Sequence, residues 1–280
     1  MLPEAKSEDL LYVSGGCGGA CVLSYPSGKL VGTVSVAFTL GSCADGKGDI
    51  FLTNDKDLEE YAHGGTSPIA TFSLPGQTYS CGIDPQTGNL AVTYLITNGN
   101  DVAVFPSGLG PPILYNVDLV GVYCGYDPQG NLYVSGTGKY DATYLSELPK
   151  NGNSFSDISI TPYPNGAQPG QVQWDGKYLT MELLGQNEGQ GVSVDRLSVS
   201  GSVAEVIGKT KFKGVTRSAG QSWIQNGEIF IPYGTRGDRV YPAKLGTWKY
   251  PRGGILEQKY QHFAGQHPGL TAVTYSAATR

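Results

Sequence analysis

The sequence predicts an all-β chain, folded as one six-bladed β-propeller over residues 1–280 with four-stranded antiparallel blades. Three observations predict it. A short alternating β segment recurs at residues 9–14, 49–54, 89–94, 131–136, 177–182 and 228–233, with starts 40, 40, 42, 46 and 51 residues apart. Propeller blades repeat at about 40–50 residues. Turn residues flank the copies in a constant order. Glycine supplies 41 of 280 residues and charged side chains only 15%, against usual shares of about 7% and about 25%. Such a balance suits many short strands joined by tight turns.

Each copy reads as the second strand of a blade. Before most copies stands a turn that carries Asp or Asn followed by Gly: Asp45 with Gly46, Asp84 with Gly88, Asp127 with Gly130, Asp175 with Gly176, and Asn226 with Gly227. Pro85 and Pro128 preset the turn, and Gly takes the positive φ that closes the hairpin. After the copies comes a second turn marker, as at Pro26 and Gly28, Gly64 and Gly65, Pro106 and Gly108, Pro149 and Gly152, Gly201, and Pro251 and Gly253. The first blade lacks a preceding turn, because Leu10 follows directly on the N-terminus. Residues 270–276 have strand character but no blade of their own. They are expected to pair as the innermost strand of the N-terminal blade. That closes the ring and leaves no unpaired inner edge.

The same composition excludes several classes. There is too little charge for a coiled coil, and 39% apolar content is too much for general disorder. Glycine shows no Gly-X-Y period, so the chain is not collagen. A net charge of −5 argues against a basic nucleic-acid binder. No apolar run is long enough for a helical membrane span. The first six residues carry neither a basic nor an apolar leader segment. With low charge and abundant Gly, Ser, Thr, Tyr and Asn, the chain reads as the mature form of an exported protein without its signal peptide, secreted or periplasmic, and monomeric.

The run of strand, Asp-Pro-x-Gly-Asn turn at residues 127–131, strand, then Tyr-Pro-x-Gly at residues 25–28 and 250–253 resembles NHL-type repeats of the six-bladed, TolB-like propeller superfamily. Residues 60–65, 173–178 and 248–251 are similar to a group of exported bacterial propellers. The resemblance implies the fold, not an activity. The related lactonase-like enzymes hold a divalent cation in the channel through Glu, Asn and Asp. Here Glu182 and Asn54 stand at matching repeat positions, but the other copies offer Ser14, Tyr94, Gly136 and Tyr233 there, so no ligand triad forms.

Other candidates are aromatic. Trp174, Tyr94 and Tyr233 stand near turn markers, where planar rings at a rim stack on sugars or peptides. With Glu182 and Asn54 they make the candidate ligand-binding set. The connections at residues 161–170 and 184–192 are long and enlarge one end of two blades, as binding faces often do. No Gly-x-Ser-x-Gly elbow occurs. The histidines His63, His262 and His267 differ in repeat position, which argues against a shared metal or catalytic dyad. Arg236-Gly237-Asp238 reads as ordinary turn chemistry.

Five cysteines divide in two groups. Cys17 and Cys21 flank a Gly-rich loop that brings them within disulfide range. In an oxidising compartment they staple a hairpin; in a reducing one they stay thiols or supply half of a zinc site. Cys43, Cys81 and Cys124 each precede an Asp turn, so each falls on an innermost strand. They read as packed thiols, with a soft metal as the sharper alternative.

The reading that follows is a non-enzymatic propeller that binds a small molecule, glycan or protein at one face or at the channel mouth. It needs no catalytic residue and no cofactor. The rival is a lactonase-like hydrolase or polysaccharide lyase with a channel-mouth site, for which a divalent cation in the channel is the expected cofactor.

Overall fold

The structure is a computed structural model that describes residues 1–97, 99–108, 110–138, 142–185, 191–218, 220–235, 244–260 and 269–278. His262, His267 and the Arg236-Gly237-Asp238 tripeptide lie outside the described residues. The described chain is all-β, with two short 3-10 turns at Pro3–Lys6 and Pro106–Gly108.

The strands run β1 (Leu10–Gly16), β2 (Gly19–Ser24), β3 (Leu30–Ser35), β4 (Ser42–Ala44), β5 (Ile50–Asn54), β6 (Asp57–Tyr61) and β7 (Pro68–Ser73). Then come β8 (Gln77–Ile83), β9 (Leu90–Ile96), β10 (Gly99–Phe105), β11 (Ile113–Tyr126), β12 (Leu132–Thr137), β13 (Thr143–Leu148) and β14 (Ser156–Thr161). They continue as β15 (Ala167–Trp174), β16 (Leu179–Gly185), β17 (Val192–Ser200), β18 (Val203–Lys211), β19 (Arg217–Ser218), β20 (Trp223–Gln225), β21 (Glu228–Gly234), β22 (Lys244–Lys249), β23 (Gln258–Tyr260) and β24 (Ala272–Ser276).

Antiparallel four-stranded sheets arranged as a propeller account for these strands. β24-β1-β2-β3 and β4-β5-β6-β7 are separate sheets, and β19 and β20 both pair β21 in a third with β22 and β23. β8 to β18 differ from the expected separate blades, because they form one curled path of 11 strands. Two features join them. β11 has 14 residues, so its first half pairs β10 and its second half β12. β14 also pairs β18 in parallel, Ser159 opposite Val203. The segment has no proline to break the long strand.

Burial on both faces explains the near-continuous apolar strands. Leu10 and Tyr12 pack into one cluster with Ile50 and Leu52, while Leu11 and Val13 pack into another with Phe230 and Leu245. Alternate side chains of one strand thus serve two neighbouring sheets. Each fully buried side chain of this kind contributes roughly 1.5–3 kcal/mol. The first strands of successive sheets meet one another: β24 with β4, β4 with β8, β8 with β11, β11 with β15, and β20 with β24. β24 pairs β1 in register, Leu10 opposite Ser276 and Ser14 opposite Ala272.

The turn chemistry is local. Asp127 Oδ1 accepts from the N–H groups of Gln129 and Asn131, both at 2.9 Å. Asp45 does the same for Lys47 and Asp49, and Asp175 for Lys177 and Tyr178. These Asp side chains hold the hairpin entry to the second strand.

The cysteines correct one expectation. Cys43 and Cys81 are not packed thiols; they form a disulfide that ties β4 to β8, with Cα atoms 5.6 Å apart. Cys81 and Cys124 stand three residues before Asp84 and Asp127, but Cys43 stands two before Asp45. One residue of offset turns a strand side chain to the opposite face. Cys43 therefore points forward to the sheet from which Cys81 points back. Cys124 points back as well, into a cluster with Ala91 and Val122, and keeps its thiol. Burial pushes that thiol up to about 12. Cys17 and Cys21 are joined across the β1–β2 turn.

Candidate functional site

The inner strands are irregular at one level, and a polar side chain from the second strand meets each irregularity. Register shifts fall between Thr78 and Ser80 on β8, between Val120 and Tyr123 on β11, and between Pro169 and Val172 on β15. In the next sheet the inner strand divides into β19 and β20. Such bulges free backbone groups from the ladder. Thr53 Oγ1 accepts from the N–H groups of Leu40 and Gly41, at 2.8 and 3.0 Å. Thr93 Oγ1 accepts from Ser80 N–H at 3.0 Å and donates to Val122 O at 2.9 Å. Ser135 Oγ donates to Gly170 O at 2.7 Å.

Glu182 occupies the same place. It stands three residues after Leu179, the first residue of β16, as Thr53 follows Ile50, Thr93 follows Leu90 and Ser135 follows Leu132. Its equivalent is thus Thr53, and the expected match of Glu182 with Asn54 is one residue out. The cause is Tyr178, a ring directly before β16 where Asp49, Asn89 and Asn131 stand directly before β5, β9 and β12. Ser218 Oγ donates to Glu182 Oε1 at 2.5 Å and Ser222 N–H donates to Oε2 at 3.2 Å. The carboxyl thereby fastens β16 to the break between β19 and β20. Burial raises its pKa, and the bonds from Ser218 and Ser222 oppose that rise.

Beside Glu182 the inner strands pack closely. Tyr123 pairs edge-on with Tyr79, ring centroids 5.3 Å apart. A Cβ on Gly220 would lie 2.1 Å from Tyr123 Oη, so the chain passes against the ring only as glycine, at φ +86°. Gln221 Oε1 accepts from Ser42 N–H at 3.2 Å and its amide donates to Ser42 O, while Gln221 O accepts from Val273 N–H at 3.3 Å. The Gln221 side chain so ties its segment to β4, and its backbone carbonyl ties it to β24.

The other sequence-derived residues fall in separate surroundings. Tyr94, 1% exposed, lies in the core cluster of Cys43 and Cys81. Tyr233, 4% exposed, stacks edge-on against Trp248 at 5.2 Å. Trp174 is half-buried against the cluster of Leu179 and Met181. Asn54 donates to Glu59 Oε1 at 2.9 Å. The two tyrosines are core rings and form no rim. His63 bonds Ser276 Oγ at 2.6 Å and Glu8 O at 2.9 Å, which pins both ends of the chain. Among the described residues no three His, Cys, Asp or Glu side chains group to hold a metal.

Open space lies at the far ends of these strands. A cavity of about 800 Å3 sits where β15 begins, β16 ends, β17 begins and β18 ends. Asn165 and Gly166 from the connection between β14 and β15 line it, as do Thr216 and Arg252. Ser193, Lys209, Lys211 and Lys213 also line it. The expected long connection at 161–170 is only five residues, 162–166, because β15 begins at Ala167, and the cations were not foreseen. The signal for them was the alternation of Lys209, Lys211 and Lys213 at every second position.

No family model matches the chain, and no curated protein sequence matches it. Solved structures do. A protein of unknown function from Bacteroides caccae matches with a TM-score of 0.70 at 13% identity, over 96% of this chain and 99% of that one. A chain of a nidogen/laminin complex matches at 0.71 and 11%, over 97% and 100%. Hydrazine synthase of Kuenenia stuttgartiensis matches at 0.57 and 13%, over 76% and 63%. At these identities the likeness shows the β-propeller fold alone. No helix among the described residues is long and apolar enough to cross a membrane.

Proposed function

We propose that this chain is a six-bladed propeller, closed by β24 on β1, that binds a ligand or protein at one face and carries out no chemistry on it. The observation that carries the reading is the cavity of about 800 Å3 on the face that includes the connection between β14 and β15. Ligand sites usually measure about 300–1,000 Å3. The NHL-like repeat and the contacts among first strands support the count of six. Glu182, the buried acid of the inner wall, is already engaged by Ser218 and Ser222, which suits a structural task better than proton transfer. The disulfides Cys17–Cys21 and Cys43–Cys81 support an oxidising, extracytoplasmic site of action. A propeller-like neighbour in a nidogen/laminin complex supports a protein as one class of occupant.

A thermal-shift screen over glycans, lactones and divalent metals, with the ligand analysed after incubation, tests the reading. A ligand at 100 times its Kd stabilises by about 2.7 kcal/mol, or about 4–5 °C for a chain of this size. The expected result is such a shift with the ligand recovered intact. Lactone opening or glycan cleavage would replace binding with catalysis.

A further inference from the structure

The cavity has a charge opposite to that of the chain. Net charge is −5 overall, yet Lys209, Lys211, Lys213 and Arg252 line this one space. Two of the four have acidic neighbours. Lys209 Nζ lies 3.2 Å from Asp195 Oδ1, and Arg252 lies 3.6 Å from Glu257 Oε1. Asp195 also interacts with Lys211, but among the described residues neither Lys211 nor Lys213 lies within ion-pair distance of a carboxylate, and both are exposed. The cluster therefore keeps an excess of positive charge.

The fold assembles this cluster. Lys209, Lys211 and Lys213 alternate with buried Thr210 and Phe212, so they share one side of the chain. On an extended strand such positions repeat at about 6.6 Å. Arg252 arrives from the turn after β22. Gly254 N–H donates to Lys211 O at 2.9 Å, Lys213 N–H donates to Gly254 O at 2.7 Å, and Thr210 Oγ1 donates to Pro251 O at 2.8 Å. Those three bonds lock the turn against the end of β18.

We propose that this cavity binds an acidic glycan, a carbohydrate carrying carboxylate or sulfate groups, with the cations on its charges and Ser193, Asn165 and Thr216 facing its hydroxyls. The proposal rests on the one-face binding reading and names its ligand. A protein partner fits less well. Protein interfaces centre on exposed aromatic or Arg anchors in apolar pockets, whereas Phe212 and Val215 here are 5% and 3% exposed and belong to the core between sheets.

The test is calorimetric titration of the full chain with hexagalacturonate, a heparin hexasaccharide, neutral maltohexaose and hexaglutamate at low and high salt. Variants are Lys211→Glu with Lys213→Glu, the milder pair of Lys→Ala changes, and Lys47→Glu on the distant β4–β5 turn. Unchanged melting temperature certifies their folding. The expected result is binding of at least one acidic hexasaccharide that weakens with salt. The charge reversal should weaken it at least about tenfold, the Ala pair less, and Lys47→Glu not at all. Preference for carboxylate or sulfate then follows from which hexasaccharide binds tighter. Tighter hexaglutamate binding, equal binding of maltohexaose, insensitivity to the Lys changes, or no acidic glycan binding each overturns the proposal. The first two leave one-face binding standing, so the two readings fail separately.

Discussion

Removing the Cys43–Cys81 disulfide should cost this chain about 4 kcal/mol. The bond links residues 38 apart in sequence. In the chain-entropy account a loop of that size loses about 13 cal/mol/K, or about 3.9 kcal/mol at 25 °C. Cys17–Cys21 closes a separation of only 4, worth about 1.9 kcal/mol by the same account. With an unfolding entropy of roughly 0.6 kcal/mol/K for 280 residues, the double Cys43→Ala, Cys81→Ala variant should melt about 6–7 °C lower. The position strengthens the expectation, because β4 and β8 belong to different sheets and share no ladder pairing. Differential scanning calorimetry of the oxidised proteins reads the shift. Thiol titration of the denatured, unreduced wild type reads the bond itself, and should find one thiol per chain, Cys124. Three thiols, or a melting change under about 2 °C, would refute the reasoning.

Thr53→Val keeps the shape of the side chain but strands the N–H groups of Leu40 and Gly41. At about 1–3 kcal/mol for each unpaired group, urea unfolding should show a loss of about 2–6 kcal/mol, and near neutrality would count against the bulge-bridging role. Gly220→Ala places a Cβ 2.1 Å from Tyr123 Oη at φ +86°, so a loss above about 2 kcal/mol is expected. Gly46→Ala enters open space and should stay within about 0.5 kcal/mol; equal effects would sink the close-approach argument. Glu182 has a pKa raised by burial, so the folded state holds its proton more tightly than the unfolded state. Its contribution is full below the unfolded pKa and is lost as pH rises through the folded one. Urea unfolding from pH 4 to 8 should show wild type losing more stability than Glu182→Gln; parallel profiles would contradict a buried carboxyl.

Local chemistry was legible in the sequence. Asp127, Asp45 and Asp175 announce their turns because the side chain bonds the backbone two to four residues on. Strand copies were legible because both faces of each strand are buried. Contacts between distant segments were not. The Cys43–Cys81 bond was encoded in a one-residue offset that counts only once the strands are known to converge. The place of Glu182 was obscured by Tyr178, an aromatic residue where the positions directly before β5, β9 and β12 hold Asp or Asn. Tyr94 and Tyr233 look like rim aromatics until their sheets are packed, when they become core. The cationic cavity needed the turn that carries Arg252 to be docked on the end of β18 through Pro251 and Gly254, a contact across some 40 residues that no repeat predicts.

The central claim is that one face of this propeller binds and does not catalyse. Asn165 is exposed on the rim of the cavity, and Asn165→Trp fills its mouth without touching the inner strands. Titration of the tightest ligand from the screen against wild type and Asn165→Trp, with the ligand analysed afterwards, addresses the claim directly. The account predicts an affinity at least about tenfold weaker in the variant, a loss of about 1.4 kcal/mol, and an intact ligand in both. Unchanged affinity, or a converted ligand, would contradict it.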